Sequence, residues 1–151
     1  MSTTAELRLQ ARDIRPTSGR LLVFRALENA ISALSLSDLE AALVTVDKST
    51  IFRALTTFLE HHLVHTIDDG TGQLKYALCT EDCRCGEDKH TDLDHRHTHF
   101  YCESCHRTYC LHEVAVPIPE LPSGFHLHSA NYVLKGICPH CKPCKMPPSF
   151  E

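Results

Sequence analysis

The chain has no tryptophan, two methionines, and no cysteine before residue 79. Thiolate chemistry therefore belongs to its second half. No apolar run approaches the roughly 18 residues that a membrane span needs. The opening stretch MSTTAELRLQARDIRPTS has no apolar core of the secretory kind. A cytoplasmic protein with reduced thiols is the expectation, with no membrane partner. Basic charge is not in excess either: the net charge is −4. Any surface for nucleic acid must be a local patch on an acidic molecule. The chain also lacks an enzyme's signature. A deaminase pairs H-x-E with P-C-x-x-C. Here Glu113 follows His112 directly, PHCKPC lacks the required order, and no nucleophile constellation stands out. An enzyme with a small-molecule substrate is not expected.

What is present is concentrated. All nine cysteines and nine of the twelve histidines lie from Cys79 onward. In a reducing compartment such clustering points to metal rather than disulfides, and an odd count argues the same way.

The first half has helical periodicity. PTSGRLLVFRALENAISAL places Leu21, Phe24, Leu27, Ile31 and Leu34 at helical spacing and predicts an amphipathic helix from about Thr17. In SDLEAAL, Ser37 and Glu40 fit a capping box. DKSTIFRALTTFLEHHLV sets Ile51, Ala54, Leu55, Phe58 and Leu59 on one face. LVHTI and LKYAL read as strands joined by the turn DDGTG, and AELRLQARDI as a further helix. Three core helices followed by a hairpin describe a winged helix-turn-helix. Its last helix would carry Ser49, Thr50, Phe52, Arg53 and Thr56 toward a major groove, where arginine reads guanine or phosphate and an aromatic ring rests on a thymine methyl. Arg15, Thr17 and Arg20, at the start of the first core helix, complete the candidate DNA contacts. A helical scaffold with Phe52 packed on a neighbour is the alternative.

The second half reads as a metal domain. Cys102–Cys105 and Cys138–Cys141 form two C-x-x-C knuckles, which can bring four thiolates to the corners of a zinc tetrahedron. The competitor is a redox dithiol, which would sit at a helix N-terminus after a strand. RTYCLHEVAV and HSANYVLKGI are rich in β-formers, and Pro117, Pro119 and Pro122 forbid a long helix between them. In DHRHTHFYC, His95, His97 and His99 alternate, so His97 and His99 share one face of a strand. They could grip one ion with help from His65, Cys79 or Cys110. Because His65 and Cys79 belong to the first half, such an ion would join the halves. The stretch TEDCRCGEDKHTDLD adds Cys83, Cys85 and His90, which could hold a further ion.

Taken in order, RPTSGRLLVFRAL, STIFRALTTFLEHHLV, HRHTHFYCESC and GICPHC resemble the ferric uptake regulator superfamily of metal-sensing repressors, over about residues 12–142. The resemblance implies an α+β chain: a winged-helix DNA-binding domain over 1–80, a hinge with the Cys/His-bearing insertion over 81–97, and an α/β dimerisation domain over 98–151. It implies a homodimer on an A·T-rich palindromic operator. It implies structural zinc on Cys102, Cys105, Cys138 and Cys141, and a regulatory metal on His97, His99 and partners from the wing. Within the superfamily the zinc-sensing branch is most similar. Its members place a cysteine shortly after the wing tyrosine, here Cys79 after Tyr76, and a ligand fourteen residues earlier, here His65. About two Zn²⁺ per chain follow from that branch. Cys110 stands where relatives often have an acidic ligand. An iron- or peroxide-sensing regulator, and a zinc-ribbon protein-interaction module without DNA binding, are the alternatives.

Overall fold

The computed structural model describes residues 2–79, 97–117, 119–127 and 131–141. The helices are α1 (Thr4–Gln10), α2 (Ser18–Asn29), α3 (Leu36–Ala42) and α4 (Lys48–Glu60). The strands are β1 (Leu34–Ser35), β2 (Val64–Asp68), β3 (Leu74–Leu78), β4 (His97–Cys102), β5 (Thr108–Ala115) and β6 (Val133–Gly136).

The helices bury the residues their periodicity selected. Val23, Phe24 and Leu27 of α2 meet Ile51, Ala54, Leu55 and Phe58 of α4 in one core, closed by Leu9, Leu39 and Tyr76. Thr17 caps α2 by accepting the Arg20 amide, and Asp47 caps α4 by accepting that of Thr50. At the end of α4, His62 takes φ 56° and the Leu63 amide reaches back to the Phe58 carbonyl. That reversal turns the chain directly into β2.

Two details differ from the sequence reading. The α2 helix stops at Asn29, so Ile31 and Leu34 do not extend its apolar stripe: Ile31 is exposed, and Leu34 pairs with Tyr76 in the sheet. Extended backbone is needed from Ala30 onward, because Ala33 and Leu34 give their edges to strands on either side. The capping box of α3 is also two residues earlier than Ser37 and Glu40. Ser35 accepts the Asp38 amide and Asp38 accepts the Ser35 amide at 2.9 Å. Ser35 is buried. Replacing a capping serine by alanine costs about 1 kcal/mol, so Ser35→Ala should lower unfolding free energy by about that amount. Urea denaturation of the two proteins checks it.

There are two three-stranded sheets. In the first, β1-β3-β2, all pairings are antiparallel, and the β2–β3 turn uses Gly70 and Gly72, both at φ 84°. In the second, β5-β4-β6, β4 runs antiparallel to β5 and parallel to β6. The sheets touch. The Ala33 amide donates to the Thr108 carbonyl at 2.8 Å, an isolated bridge between the first residues of each unit's edge.

The face that β2 and β3 turn toward this contact follows from alternation. Residues two apart on a strand share a face, and directly paired residues lie on the same side. His65, Ile67 and Asp69 thus lie with Lys75, Ala77 and Cys79, given the pairings His65–Ala77 and Ile67–Lys75. Ile67 is fully buried yet belongs to no part of the helical core.

Candidate metal centres

Two donor clusters form among the described residues. The first is built by the knuckles. β4 ends at Cys102, the turn after it presents Cys105, and Cys138 and Cys141 follow β6. Because β6 lies parallel beside β4, with Cys102 opposite Gly136, both knuckles emerge at the same end of the sheet. Cys105 Sγ and Cys138 Sγ stand 3.7 Å apart. Four sulfurs about 2.3 Å from one tetrahedral centre would be roughly 3.8 Å apart, so the donor set fits zinc.

The local backbone prepares these thiols for a cation. Burial resists the ionisation of Cys102. Amides of Cys105 and Cys138 nevertheless point at its sulfur from 3.5 and 3.4 Å and, with the Ser104 amide, bring its pKa down to about 6. The Tyr109 hydroxyl, 3.5 Å from Cys138 Sγ, lowers the Cys138 pKa. Cys141 is the opposite case: it accepts a hydrogen bond from Ser104, yet burial and the crowd of neighbouring sulfurs raise it to about 11. A cluster that cannot hold four negative charges by itself is one that a divalent cation stabilises.

The second cluster joins the two sheets. His65 comes from β2, His99 from β4 and Cys110 from β5, directly opposite His99 in the ladder. Their donor atoms all lie within 4.8 Å of one another. The imidazoles of His65 and His99 are tilted by 41° with centroids 5.6 Å apart. His65 also has a thiol at each ring nitrogen: Cys110 Sγ is 3.6 Å from Nε2, and Cys79 Sγ is 3.6 Å from Nδ1. A nitrogen and a sulfur held by one tetrahedral zinc would be roughly 3.6 Å apart. One imidazole offers a single lone pair, the other nitrogen keeping its proton. His65 can therefore join the Cys110 side or the Cys79 side of one ion, not both. Burial pushes the thiol of Cys79 up to about 11, against the pull of Arg12. Burial and the nearness of Cys79 push Cys110 up to about 12. His97 is the first residue of β4, and the β4–β5 register shifts immediately after it. His90, His95, Cys83 and Cys85 lie outside the described residues.

No protein-family model and no curated protein matches the chain. Solved structures do. A zinc uptake regulator complexed with zinc and DNA is 25% identical, with a TM-score of 0.57 over 93% of this chain and 96% of that one. The ferric uptake regulator (Fur) of Vibrio cholerae is 17% identical, with a TM-score of 0.58 over 88% of this chain and 98% of its own. That of Pseudomonas aeruginosa, solved with manganese, is 19% identical, with a TM-score of 0.57 over 91% and 99%. The chain has the fold of the ferric uptake regulator superfamily.

On this Fur fold the remaining candidates lie on α4 and at the start of α2. Ser49, Phe52, Arg53 and Thr56 are exposed on one side of α4, and Thr50 is half-buried. Phe52 is 54% exposed, a large apolar ring in water, beside a hollow lined by Leu36, Asp47 and Lys48. Several polar groups already have local partners. The Ser49 and Thr50 hydroxyls donate to Asp47 at 2.5 and 2.6 Å, and these bonds hold its carboxyl at about 2. Arg53 donates to the Ser49 carbonyl, and Thr56 to that of Phe52. Arg20 donates to the Arg15 carbonyl while Thr17 caps α2.

The sequence reading missed Asp69, Lys75 and Thr108, which are buried together where the hairpin meets β5. A signal was available. In the alternation of VHTIDD, Asp69 shares its strand face with His65, so a face expected to carry a ligand also carries a buried acid.

Proposed function

We propose that the chain is a zinc-responsive repressor of metal-uptake genes. The observation that carries this reading is the second cluster, in which His65 from the hairpin meets His99 and Cys110 from the other sheet. Residues 1–80 would be the winged helix and β2–β3 its wing, residues 81–97 the hinge, and residues 98–151 the dimerisation domain. Ser49, Phe52, Arg53 and Thr56 would face the major groove of an A·T-rich palindrome. Arg15, Thr17 and Arg20 would stand at its edge. Strands β5 and β6 are the two edges of the second sheet, with Val114, Leu134 and Ile137 partly exposed along them. A second copy pairing there would place two reading helices on one duplex, giving a homodimer.

His65, His99 and Cys110 share one ion only while hairpin and second sheet are docked. Occupancy therefore favours the docked arrangement. A bound metal would supply charge and directional bonds where these donors otherwise make only weak contacts. The four knuckle cysteines hold their own ion whether or not the halves dock, which makes that site structural. Soft sulfur and imidazole donors favour zinc over iron at both places. The fourth donor at the hinge would be His97, or Cys79 if the His65 ring changes partners on loading. Cys83, Cys85, His90 and His95 are further candidates in the insertion. The setting would be cytoplasmic.

The test is a DNA-binding titration against buffered free zinc, with zinc per chain counted alongside. The wild-type chain should bind two ions and tighten on A·T-rich palindromic DNA by about 5–150-fold, the range of a coupling of about 1–3 kcal/mol. His99→Ala should keep one ion and lose the tightening. A response to iron but not zinc would indicate an iron or peroxide sensor. No DNA binding at any metal level would indicate a protein-interaction module.

A further inference from the structure

The hairpin is tied to the second sheet at a second place, by side chains that are not metal donors. Asp69, Lys75 and Thr108 are 2%, 7% and 0% exposed. Lys75 Nζ lies 2.5 Å from Asp69 Oδ2, 3.0 Å from Thr108 Oγ1 and 3.1 Å from the His106 carbonyl. Those three partners use all three ammonium protons. Thr108 spends its one hydroxyl proton on Asp69 Oδ2 at 2.6 Å while accepting from Lys75. The other carboxylate oxygen of Asp69 takes the amide and hydroxyl of Thr71, at 3.1 and 2.5 Å. Burial opposes a charge on Asp69, but these donors hold its carboxyl well below the usual carboxylate range. Beside the network, Asn131 donates to the Asp68 carbonyl at 2.7 Å, and the ammonium lies 5.1 Å from the Tyr101 ring centroid.

The arrangement is satisfied only when both halves contribute. Asp69 and Lys75 belong to the hairpin, and His106, Thr108 and Asn131 to the second sheet and its flanks. If the halves separate, Lys75 loses two of its three acceptors and Asp69 one donor. Removing one partner while the halves stay docked leaves a buried polar group unsatisfied, which is costly, whereas the complete network is tolerated. Thr108 also accepts the Ala33 amide through its carbonyl, so side chain and backbone of one residue hold both edges of the first unit.

We propose that Asp69, Lys75 and Thr108 form a metal-independent latch that favours one angle between the hairpin and the second sheet, so that His65 is biased toward His99 and Cys110 before an ion completes the docking. They are positioning residues. The consequence for metal sensing rests on the function proposed above; the latch itself does not.

The Ala33 amide reports on it, because its acceptor lies across the junction. Its hydrogen exchange is measured by NMR in the full chain, chelated until one zinc per chain remains. In wild type Ala33 should be protected. Thr108→Val keeps the shape but deletes the hydroxyl, and should speed Ala33 exchange about tenfold or more with the zinc count unchanged. Lys75→Gln, which drops the charge and the reach to the His106 carbonyl, should do the same. Thr108→Ser, which restores the hydroxyl, should return it close to wild type. Equal Ala33 exchange in wild type, Thr108→Val and Lys75→Gln would overturn the latch, as would an unprotected Ala33 in wild type. Zinc required for half-maximal DNA binding should rise in the same variants. Loosened Ala33 in a chain that never responds to zinc would keep the latch and remove the repressor.

Discussion

Cys102→Ser should give a chain that carries one zinc fewer and has lost its second sheet. Cys102 is the centre of the knuckle cluster: it is fully buried, ends β4, and receives amides from both Cys105 and Cys138. The bond from Cys138 ties the first knuckle to the second, across 36 residues of chain. A serine oxygen is a poor zinc ligand and is not ionised near neutrality, so the set drops to three sulfurs. Structural zinc sites contribute an apparent binding free energy of about 10–16 kcal/mol to folding in small domains. The second sheet has only three strands, and among the described residues no helix follows β3 in the chain. A domain with that little core depends on its metal. The helical unit, with its own core, should survive. Circular dichroism should retain the helical signal, while amide protection across β4, β5 and β6 is lost. A Cys102→Ser protein that holds its full zinc and an intact second sheet would show that the knuckles do not support the fold.

The elements that were legible beforehand are those whose cause is local. The α4 stripe of Ile51, Ala54, Leu55 and Phe58 is set by a 3.6-residue period, and all four are buried. The strands VHTID and LKYAL fell where alternation and the intervening glycines put them. The errors come where a distant partner overrides a local pattern. Ile31 and Leu34 continue the α2 period in sequence, but pairing of Leu34 with Tyr76 and of Ala33 with Thr108 requires extended backbone there. Ser35 and Ser37 are both plausible caps, and the β1 pairing selects Ser35 by ending the strand at that residue. The candidate sites divide in the same way. C-x-x-C is a local geometry and could be read directly, whereas the meeting of His65 with Cys110 needs 45 residues of intervening fold. The Asp69–Lys75–Thr108 network was missed because a charge near a turn normally faces solvent, although the alternation puts Asp69 on the His65 face. Only the second sheet, laid over that face, buries it.

Loading of the hinge should be opposed by acid, by an amount that identifies its ligands. Cys110 is raised to about 12 and Cys79 to about 11, so both are neutral thiols at pH 7. A coordinating sulfur must lose its proton. The sign follows: below the thiol pKa each coordinating thiol releases one proton, and affinity falls about tenfold per unit of pH decrease for each. His65 decides how many leave. With Nε2 directed to the ion shared by His99 and Cys110, the Nδ1 proton is left to donate to Cys79 Sγ, 3.6 Å away. Cys79 then orients the imidazole without touching the ion, as outer partners of metal-bound histidines do. One proton should be released per hinge ion, countable by calorimetry in two buffers of different ionisation enthalpy. Cys110→Ser should remove hinge zinc, whereas Cys79→Ser should weaken it about 10–100-fold, the usual loss for an orienting partner. Two protons per ion, with Cys79→Ser as damaging as Cys110→Ser, would instead make both sulfurs ligands and require the His65 ring to change partners on loading. In either case the proton count reports whether Cys79, directly after β3 of the hairpin, touches the ion or only orients the His65 imidazole.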